Sequence, residues 1–454
     1  MRFALLIIVL IFETFCVYTQ ELSREKRQLV LSQVWRDVSD NYYNPLFLKK
    51  INWDSIYIEY SKKNEDVKSE LDYCRLLRAF LAEVQDGHTE LCGWEYVERQ
   101  DMTVDYLPFG VEWIGNKLYI THVIEDLKEK LPLCSEILSI DKRSPEMYYM
   151  RNIFPYCSAS TIQYKRNRVQ MLSGLKGDSI DLVLSKAGKK DTLSLVYDLL
   201  QNVNNNKTEM NWLHVYPINE QFSSWKSQSE EGGFYFLRFD SFGEDKNIAQ
   251  IMNAAKVKIE NSDYVILDLR YNRGGDEMKA DSLLMYFNVL DTLRTYKSIT
   301  RVHNAFKAAM GLSYNSFRKY YENLSVDTLL EDCYVNNGAI YYINKPLYVL
   351  ISNRTCSAAE DFLITLKLRK FKNVTLVGMP TAGTTGAPLV RYLSNNLYYR
   401  ICTRWPLLQD GIFDNGIQPD FYYEPKIEEL ALGKDRILEF VNQLYEQKKY
   451  NYEK

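Results

Sequence analysis

The most promising candidate for chemistry in this sequence is a serine at the junction of a strand and a helix. Ser357 follows the apolar run Leu347–Ile351 and directly precedes a predicted helix. At such a junction the hydroxyl faces solvent, and the free N–H groups of the first helical turn can stabilise an oxyanion. The same Ser-x-x-Glu pattern is also a capping box with Glu360 as the partner, so a structural role stays open. Cys356 is a rival nucleophile, although its side chain would point away from that of Ser357.

Two further stretches could complete such a site, because an acyl-transfer serine needs a base and oxyanion donors. Gly274 and Gly275 follow a buried strand and allow a tight turn whose N–H groups point into a cleft. No Gly-Lys-Ser/Thr follows them, which excludes a phosphate loop. His88 lies between a helix end and a strand, with the pKa and reach of a general base. An ordinary glycine turn and a capping or surface histidine are the structural alternatives.

Histidine is scarce, and this scarcity narrows the search for a base. The 454 residues contain four histidines, so imidazole chemistry has four possible positions. A fourth stretch, Asp410–Asp420, contains carboxylates that could orient an imidazole, or it forms a solvated turn. The four histidines are His88, His122, His214 and His303.

The elements that must position these residues fall into three regions. Apolar residues at helical spacing predict a helical domain over residues 20–102, and short alternating strands predict a β-rich domain over 103–200. Residues 201–454 alternate buried strands with helices, which predicts an α/β core with a parallel sheet and an inserted helical or lid segment at about 300–335. The predicted core elements are strands Phe234–Phe239, Tyr264–Leu269, Leu347–Ile351 and Val374–Val377, and helices Ile248–Ile259 and Ala358–Leu368.

Composition and the amino-terminal stretch bound the class of protein. With 46% hydrophobic and 25% charged residues the chain is globular, and a net charge of -3 argues against nucleic-acid binding. Residues 1–19 combine one positive charge with an apolar run of about ten residues, which predicts a signal peptide and export to the periplasm or the extracellular space. A lipoprotein anchor at Cys16 is the alternative. No later stretch is apolar and long enough to span a membrane, and the scattered cysteines show no zinc-binding spacing.

Taken together, the motifs resemble those of one family of serine peptidases. In order and spacing, LDLRYNRGG, SNRTCSAAEDF, LVGMPTAGTTG and DGIFDNGIQPD are similar to the carboxyl-terminal processing protease and tricorn-core serine peptidase family. The resemblance covers most of the chain and implies a Clp/crotonase-like α/β peptidase core. It also implies a PDZ-like β-rich domain, which would bind a peptide carboxyl terminus as an added strand. The residues that match its binding loop are Leu107, Phe109 and Gly110.

The resemblance assigns the nucleophile and the oxyanion hole. Ser357 matches the nucleophile, and the N–H groups of Ala358 and of Gly274, or its neighbour Gly275, match the oxyanion donors. The family has a variant with a lysine base, but this chain has Thr384 at the lysine position. A lysine base is therefore excluded.

The tricorn-like variant, which uses a histidine base, supplies the remaining assignments. His88 matches the histidine and Asp414 the carboxylate that orients it, with Asp410 and Glu360 as competing candidates. The tricorn-like pattern also has a serine directly before the histidine, where this chain has Gly87.

These observations predict an exported serine endopeptidase that cleaves peptides or unfolded proteins through a serine acyl-enzyme, without a metal or an organic cofactor. The alternative is a non-catalytic peptide- or ligand-binding protein on the same scaffold, because fold does not dictate function. An esterase-type hydrolase is disfavoured, since the sequence lacks a G-x-S-x-G elbow.

Overall fold

The structure is a computed structural model, and most of the chain after residue 22 is described. The predicted signal peptide, Cys16, His214 and His303 lie outside the described residues. The described ranges are 23–124, 127–169, 172–197, 210–212, 225–226, 233–243, 247–302, 305–311, 313–338, 340–371, 373–393, 397–408, 413, 415–433 and 435–452.

In the described part of the chain after residue 22, four helices make up an amino-terminal layer, which confirms the predicted helical region. Each begins at a serine or asparagine whose side chain accepts a hydrogen bond from the first helical turn, and these polar residues fix where the helices start. The apolar faces pack around Phe80, whose ring stacks on Trp53 at 4.3 Å between ring centroids. The elements are α1 (Arg24–Asn41), α2 (Pro45–Lys50), α3 (Trp53–Lys63) and α4 (Glu70–Ala82), followed by strand β1 (Glu90–Cys92).

A β-rich region follows, built on an antiparallel sheet in which β3, β4, β5, β7 and β8 lie in that order and β9 pairs with β4. Its alternating strands bury one face in a core that includes Leu107 and Phe109. The elements are α5 (Trp94–Gln100), β2 (Val104–Tyr106), β3 (Phe109–Ile114), β4 (Lys117–Ile124), β5 (Glu136–Ile140), α6 (Pro145–Asn152), α7 (Ile162–Arg166), β6 (Ser173–Leu175), β7 (Ser179–Lys186), β8 (Lys189–Val196) and β9 (Met210–Trp212).

The third region is an α/β core, as the alternation of strands and helices predicted. Its elements are β10 (Trp225–Lys226), β11 (Phe234–Arg238), α8 (Ile248–Glu260), β12 (Tyr264–Asp268), α9 (Glu277–Met285), β13 (Thr292–Arg294), β14 (Ser298–Arg301), α10 (Ala305–Met310), α11 (Arg318–Tyr321), β15 (Val326–Leu329), β16 (Cys333–Val335), β17 (Leu347–Ile351), α12 (Ala358–Leu368), β18 (Val374–Gly378), β19 (Pro388–Tyr392), β20 (Tyr398–Cys402), β21 (Arg404–Pro406), β22 (Phe421–Tyr422), α13 (Ile427–Ala431) and α14 (Ile437–Tyr452).

The central sheet of this core runs in the order β10, β11, β12, β17, β18, β22, and all its neighbours from β11 to β22 are parallel. Helices α8, α9 and α12 cover one face, and α14 covers the other. Because the strands are buried on both faces, they are continuous apolar runs, and this explains why the sequence located them within a residue or two.

The predicted insert at about 300–335 is only partly helical. Helices α10 and α11 lie within it, but strands β14 and β15 pair at its edges, and β14 also pairs with β21. The apolar aromatic residues of this segment suggested helices, whereas its ends are held by strand pairing with a distant part of the chain.

Strand β1 joins the amino-terminal layer to the core. It pairs antiparallel with β20, with Glu90 opposite Arg400, and the helical layer packs on Tyr399 and Ile401 of β20. The chain just before β1, which contains His88, is thereby fixed against the core.

Within the described ranges, none of the helices has the length and apolarity to cross a membrane. The seven cysteines located there, Cys74, Cys92, Cys134, Cys157, Cys333, Cys356 and Cys402, all carry free thiols.

Candidate active site

Ser357 occupies a sharp turn at the carboxyl end of the central sheet. It lies between β17 and α12 with φ 57° and ψ −131°, a backbone conformation that is costly for a residue with a side chain. Its N–H donates to the Thr384 carbonyl at 2.9 Å. The side chain makes no capping hydrogen bond to α12, so the capping-box interpretation of Ser357 and Glu360 is wrong. The strained turn instead leaves the hydroxyl directed away from the helix.

His88 brings an imidazole to this hydroxyl. Its Nε2 lies 3.1 Å from Ser357 Oγ, although the two residues are 269 positions apart in the sequence. The backbone N–H of His88 donates to Asp86 Oδ1 at 2.6 Å, and Asp86 Oδ2 accepts from the buried Tyr42 hydroxyl at 3.3 Å. These contacts hold the turn before β1, so that the imidazole faces the serine.

The second imidazole nitrogen meets a threonine. His88 Nδ1 lies 2.7 Å from Thr384 Oγ1, and Thr384 is almost completely buried. Burial lowers the pKa of His88 to about 3, with smaller contributions from the positive charges of Arg400 and Arg168. The imidazole is therefore neutral at physiological pH, as a general base must be before it accepts a proton.

Two adjacent buried carboxylates at the start of α12 hold the loop that carries Thr384. Glu360 Oε1 accepts from the Gly383 N–H at 2.8 Å and from the Thr381 hydroxyl, and its Oε2 accepts from the Thr384 N–H at 2.9 Å. Asp361 Oδ1 accepts from the hydroxyls of Thr385 at 2.6 Å and Tyr296 at 2.5 Å. Burial raises the pKa of both carboxyl groups, to about 8 for Glu360 and about 7 for Asp361.

The glycine turn after β12 lies directly against the serine, because β12 and β17 are adjacent parallel strands whose carboxyl ends meet at one edge of the sheet. A Cβ on Gly274, whose φ is 88°, would lie 2.4 Å from Ser357 Cβ and 2.8 Å from the Ala358 nitrogen. The Gly274 N–H donates to Asn272 Oδ1 at 2.9 Å. Among the described residues the Gly275 N–H has no hydrogen-bond partner, so of the two glycines it is the one with a free N–H.

The cleft beside the site is rich in arginine. A cavity of about 120 Å³ is lined by residues from the helical layer, the β-rich region and the glycine turn, among them Arg78, Arg168 and Arg273. Glu90, the first residue of β1 and two residues after His88, forms ion pairs with Arg168 and Arg400. Within the described ranges, no group of three or more His, Cys, Asp or Glu side chains is arranged to hold a metal ion.

Two of the three residues expected in the PDZ-like loop are buried in the core of the β-rich region, and the third packs against a histidine. Leu107 and Phe109 are fully buried in the hydrophobic core of the β-rich region. Gly110 packs under His122, whose ring would be 1.6 Å from a Cβ at this position. Strand β3 contacts the nucleophile turn through an ion pair between Glu112 and Arg354 at 2.9 Å, with both side chains nearly buried. The β-rich region is thus attached directly to the turn that carries Ser357.

The structure places His88 beside Ser357, and it packs Gly274 against Ser357 and Ala358. Asp414 and the competing Asp410 lie outside the described residues. Glu360, the other competitor, directs its carboxylate to the 381–384 loop. The contact of Thr384 with His88 was missed, because the sequence identified Thr384 only as the residue at the lysine position and gave no sign of its spatial partner.

Comparisons with known proteins agree with this architecture. Residues 234–423 match the model of peptidase family S41, and residues 23–82 match the model of the tricorn protease C1 domain. A solved structure of mature CPAF in complex with lactacystin has the same fold, with a TM-score of 0.67 at 14% sequence identity over 93% of this chain and 98% of that one. A putative peptidase from Parabacteroides merdae matches over 92% of this chain and 96% of that one, with a TM-score of 0.51 and 16% identity.

Proposed function

Because this chain belongs to the S41 family of carboxyl-terminal processing and tricorn-like proteases and is a serine-type peptidase, we propose that it is an endopeptidase that uses Ser357 as nucleophile and His88 as base. The observation that carries the proposal is the 3.1 Å separation of Ser357 Oγ and His88 Nε2. This separation is within hydrogen-bond reach, as a nucleophile and its base require.

The proposed reaction proceeds through an acyl-enzyme. His88 Nε2 takes the proton of the Ser357 hydroxyl as Oγ attacks the scissile carbonyl carbon, and a tetrahedral oxyanion forms. The C–N bond then breaks, and the proton on Nε2 passes to the leaving amine. Water, activated by the same nitrogen, attacks the ester and releases the acid product and free Ser357. The N–H groups of Ala358 and Gly275 are the proposed oxyanion donors, and they lie on the two turns that the packing of Gly274 brings together.

Asp414 is the proposed carboxylate of this machinery. Its neighbour Ile417 donates its N–H to Thr381 Oγ1 at 2.7 Å, so the chain that follows Asp414 is held against the loop of Thr384. Asp414→Asn is expected to lower kcat by at least about 10²-fold, with Asp410→Asn as the matched control. Equal effects of the two variants would reject the assignment.

The test of the nucleophile is covalent labelling with a fluorophosphonate probe together with hydrolysis of a diverse peptide library. We expect labelling and hydrolysis by the native protein, loss of both in Ser357→Ala, and retention in the control Ser179→Ala, which changes an exposed serine. Full hydrolysis by Ser357→Ala would reject the assignment. A folded native protein that neither reacts with the probe nor cleaves any peptide would favour the alternative of a non-catalytic binding protein.

The proposed substrates are peptides or unfolded proteins whose carboxyl terminus is bound by a PDZ-like β-rich region. The support for this is the resemblance of the Leu107–Gly110 segment and the place of β3 at the end of the described sheet, where an added strand can pair. Peptides with a free carboxylate are expected to bind more tightly than their amidated counterparts. Equal affinity of the two forms, measured by calorimetry on the Ser357→Ala protein, would contradict this mode of binding.

Export is proposed on the basis of residues 1–19, with removal of this segment during secretion. Mass spectrometry of the amino terminus of the secreted protein tests it. A mature chain that begins at or near Gln20 is expected. A lipid-modified Cys16 would indicate the anchored alternative, and an intact amino terminus would contradict processing.

A further inference from the structure

Each nitrogen of the His88 imidazole contacts a hydroxyl group, and the proposed reaction uses only the contact with Ser357. Nε2 lies 3.1 Å from Ser357 Oγ, and Nδ1 lies 2.7 Å from Thr384 Oγ1. When Nε2 accepts the serine proton, Nδ1 must carry the other ring hydrogen. The nearest acceptor for that hydrogen is the Thr384 hydroxyl oxygen, so this contact would select the tautomer that can act as a base.

Thr384 also fills the space beside Gly87. A Cβ placed on Gly87 would lie 2.9 Å from both Oγ1 and Cγ2 of Thr384, and 3.1 Å from its Cβ. The backbone of Gly87 does not have a positive φ, so the backbone itself would accept a side chain there. The side chain of Thr384 is what excludes a larger residue at position 87. The hydroxyl that the tricorn-like pattern places before the histidine is therefore supplied here by Thr384, whose side chain occupies the space that a side chain at position 87 would take.

The threonine is held rigidly enough to orient a partner. Its N–H donates to Glu360 Oε2 at 2.9 Å, and its carbonyl accepts from the Ser357 N–H at 2.9 Å. The loop that contains it packs under Thr161, whose hydroxyl donates to the Ala382 carbonyl at 3.0 Å. The backbone of one residue thus contacts the nucleophile while its side chain contacts the base. Any movement of Thr384 would alter both.

We propose that the Thr384 hydroxyl is the positioning group of the His88 imidazole, and that it replaces a hydroxyl at residue 87. This inference rests on the proposed role of His88 as base. It makes Thr384 a positioning residue, which acts on the substrate only through His88. The Thr384 hydroxyl accepts the Nδ1 hydrogen and retains its own proton for a further acceptor, so the proposal is compatible with a carboxylate that lies beyond it.

The test relocates the hydroxyl. Thr384→Val removes the hydroxyl with little change of volume and is expected to lower kcat by about tenfold or more, with little change in KM, whereas Thr384→Ser is expected to stay within a few-fold of the native protein. Gly87→Ser alone is expected to lower kcat because of the clash with Thr384. In the double variant Gly87→Ser/Thr384→Ala the new hydroxyl has room beside the ring, and kcat is expected to rise well above that of Thr384→Ala.

The double variant separates positioning from packing. If Thr384 only filled space, Gly87→Ala would rescue Thr384→Ala as well as Gly87→Ser does, because either side chain refills the same volume. Equal rescue by the two substitutions, or no rescue by Gly87→Ser, would overturn the proposal. Native kcat in Thr384→Val would also overturn it.

A readout without substrate keeps this inference distinct from the proposed function. In nitrogen-15 NMR of histidine-labelled protein, the His88 resonances, assigned by their loss in His88→Gln, are expected to show the Nδ1–H tautomer in the native protein and in Thr384→Ser. We expect a mixture of tautomers in Thr384→Val. An unchanged tautomer in Thr384→Val would overturn the proposal even in a protein that hydrolyses peptides. Absence of hydrolysis with the expected tautomers would reject only the proposed function.

Discussion

Replacement of Glu360 by glutamine tests whether a buried carboxylate holds the loop of Thr384. Both carboxylate oxygens of Glu360 accept hydrogen bonds, Oε1 from Gly383 and Thr381 and Oε2 from the Thr384 N–H. Glutamine has one acceptor oxygen, and its NH₂ group would face a backbone N–H in either orientation. At least one buried N–H therefore loses its acceptor, whichever way the amide turns.

The expected cost follows from that single unsatisfied donor. A buried N–H without an acceptor costs about 1–3 kcal/mol, which corresponds to about 5- to 150-fold more frequent opening of the loop. Burial raises the pKa of Glu360, whereas the hydrogen bonds from Thr381, Thr384 and Gly383 lower it. The three groups that contact its oxygens are all donors, which suits a carboxylate, so the range above covers the hydrogen-bond mismatch alone.

Asp361→Asn is the matched control, because it changes the adjacent buried carboxylate in the same way. Asp361 Oδ1 alone accepts from Thr385 and Tyr296, and both donors are hydroxyls. An asparagine oxygen can keep both contacts, while its NH₂ takes the position of Oδ2, which faces Arg404 at 4.0 Å. We expect a clearly smaller effect than in Glu360→Gln.

Hydrogen exchange followed by mass spectrometry of peptides that span residues 379–387 measures the opening directly. Faster exchange in Glu360→Gln than in both the native protein and Asp361→Asn is expected, together with a lower kcat, because Thr384 is carried by this loop. Equal exchange in the two variants would mean that the arrangement of acceptor oxygens does not determine the rigidity of the loop, and that loss of either buried carboxyl group has the same effect.

Two further predictions concern the base and the glycine turn. Burial and, to a smaller extent, the positive charge of Arg400 lower the pKa of His88. Arg400→Gln is therefore expected to raise that pKa and to move the acid limb of the kcat/KM profile, measured between pH 3 and 7, to higher pH. An acid limb at the same or at a lower pH would contradict this. Gly274→Ala is expected to lower kcat by about 10²-fold or more, because the new Cβ would lie 2.4 Å from Ser357 Cβ. The control is Gly177→Ala, which should retain activity, since Gly177 has a similar φ of 90° and no atom lies within 4 Å of the position of its Cβ. Equal activities of the two variants in a peptidase assay would show that crowding at Ser357 is not the cause.

The amino-acid sequence determined the central sheet and the turns at its end. Strands such as Leu347–Ile351 are continuous apolar runs, since both of their faces are buried, and helix Ala358–Leu368 follows with a clear start. The family resemblance suggested that Gly274 lies beside Ser357, whereas the adjacency of β12 and β17, which brings their carboxyl ends to one edge of the sheet, is seen only in the structure. The position of His88 between a helix and a strand was also visible locally, although nothing local showed what it would face.

The tertiary structure alone decided the partners of the imidazole. His88 reaches Ser357 because β1 pairs with β20, and a pairing of strands so far apart leaves no periodic signal in either segment. The interpretation of Ser357 and Glu360 as a capping box failed for the same reason, because the acceptor and donor groups that outcompeted the cap lie on a loop after β18. Thr384 meets His88 only through the packing of three separate segments at one edge of the sheet. Local sequence patterns encode which elements form, whereas the contacts between distant side chains depend on how those elements pack.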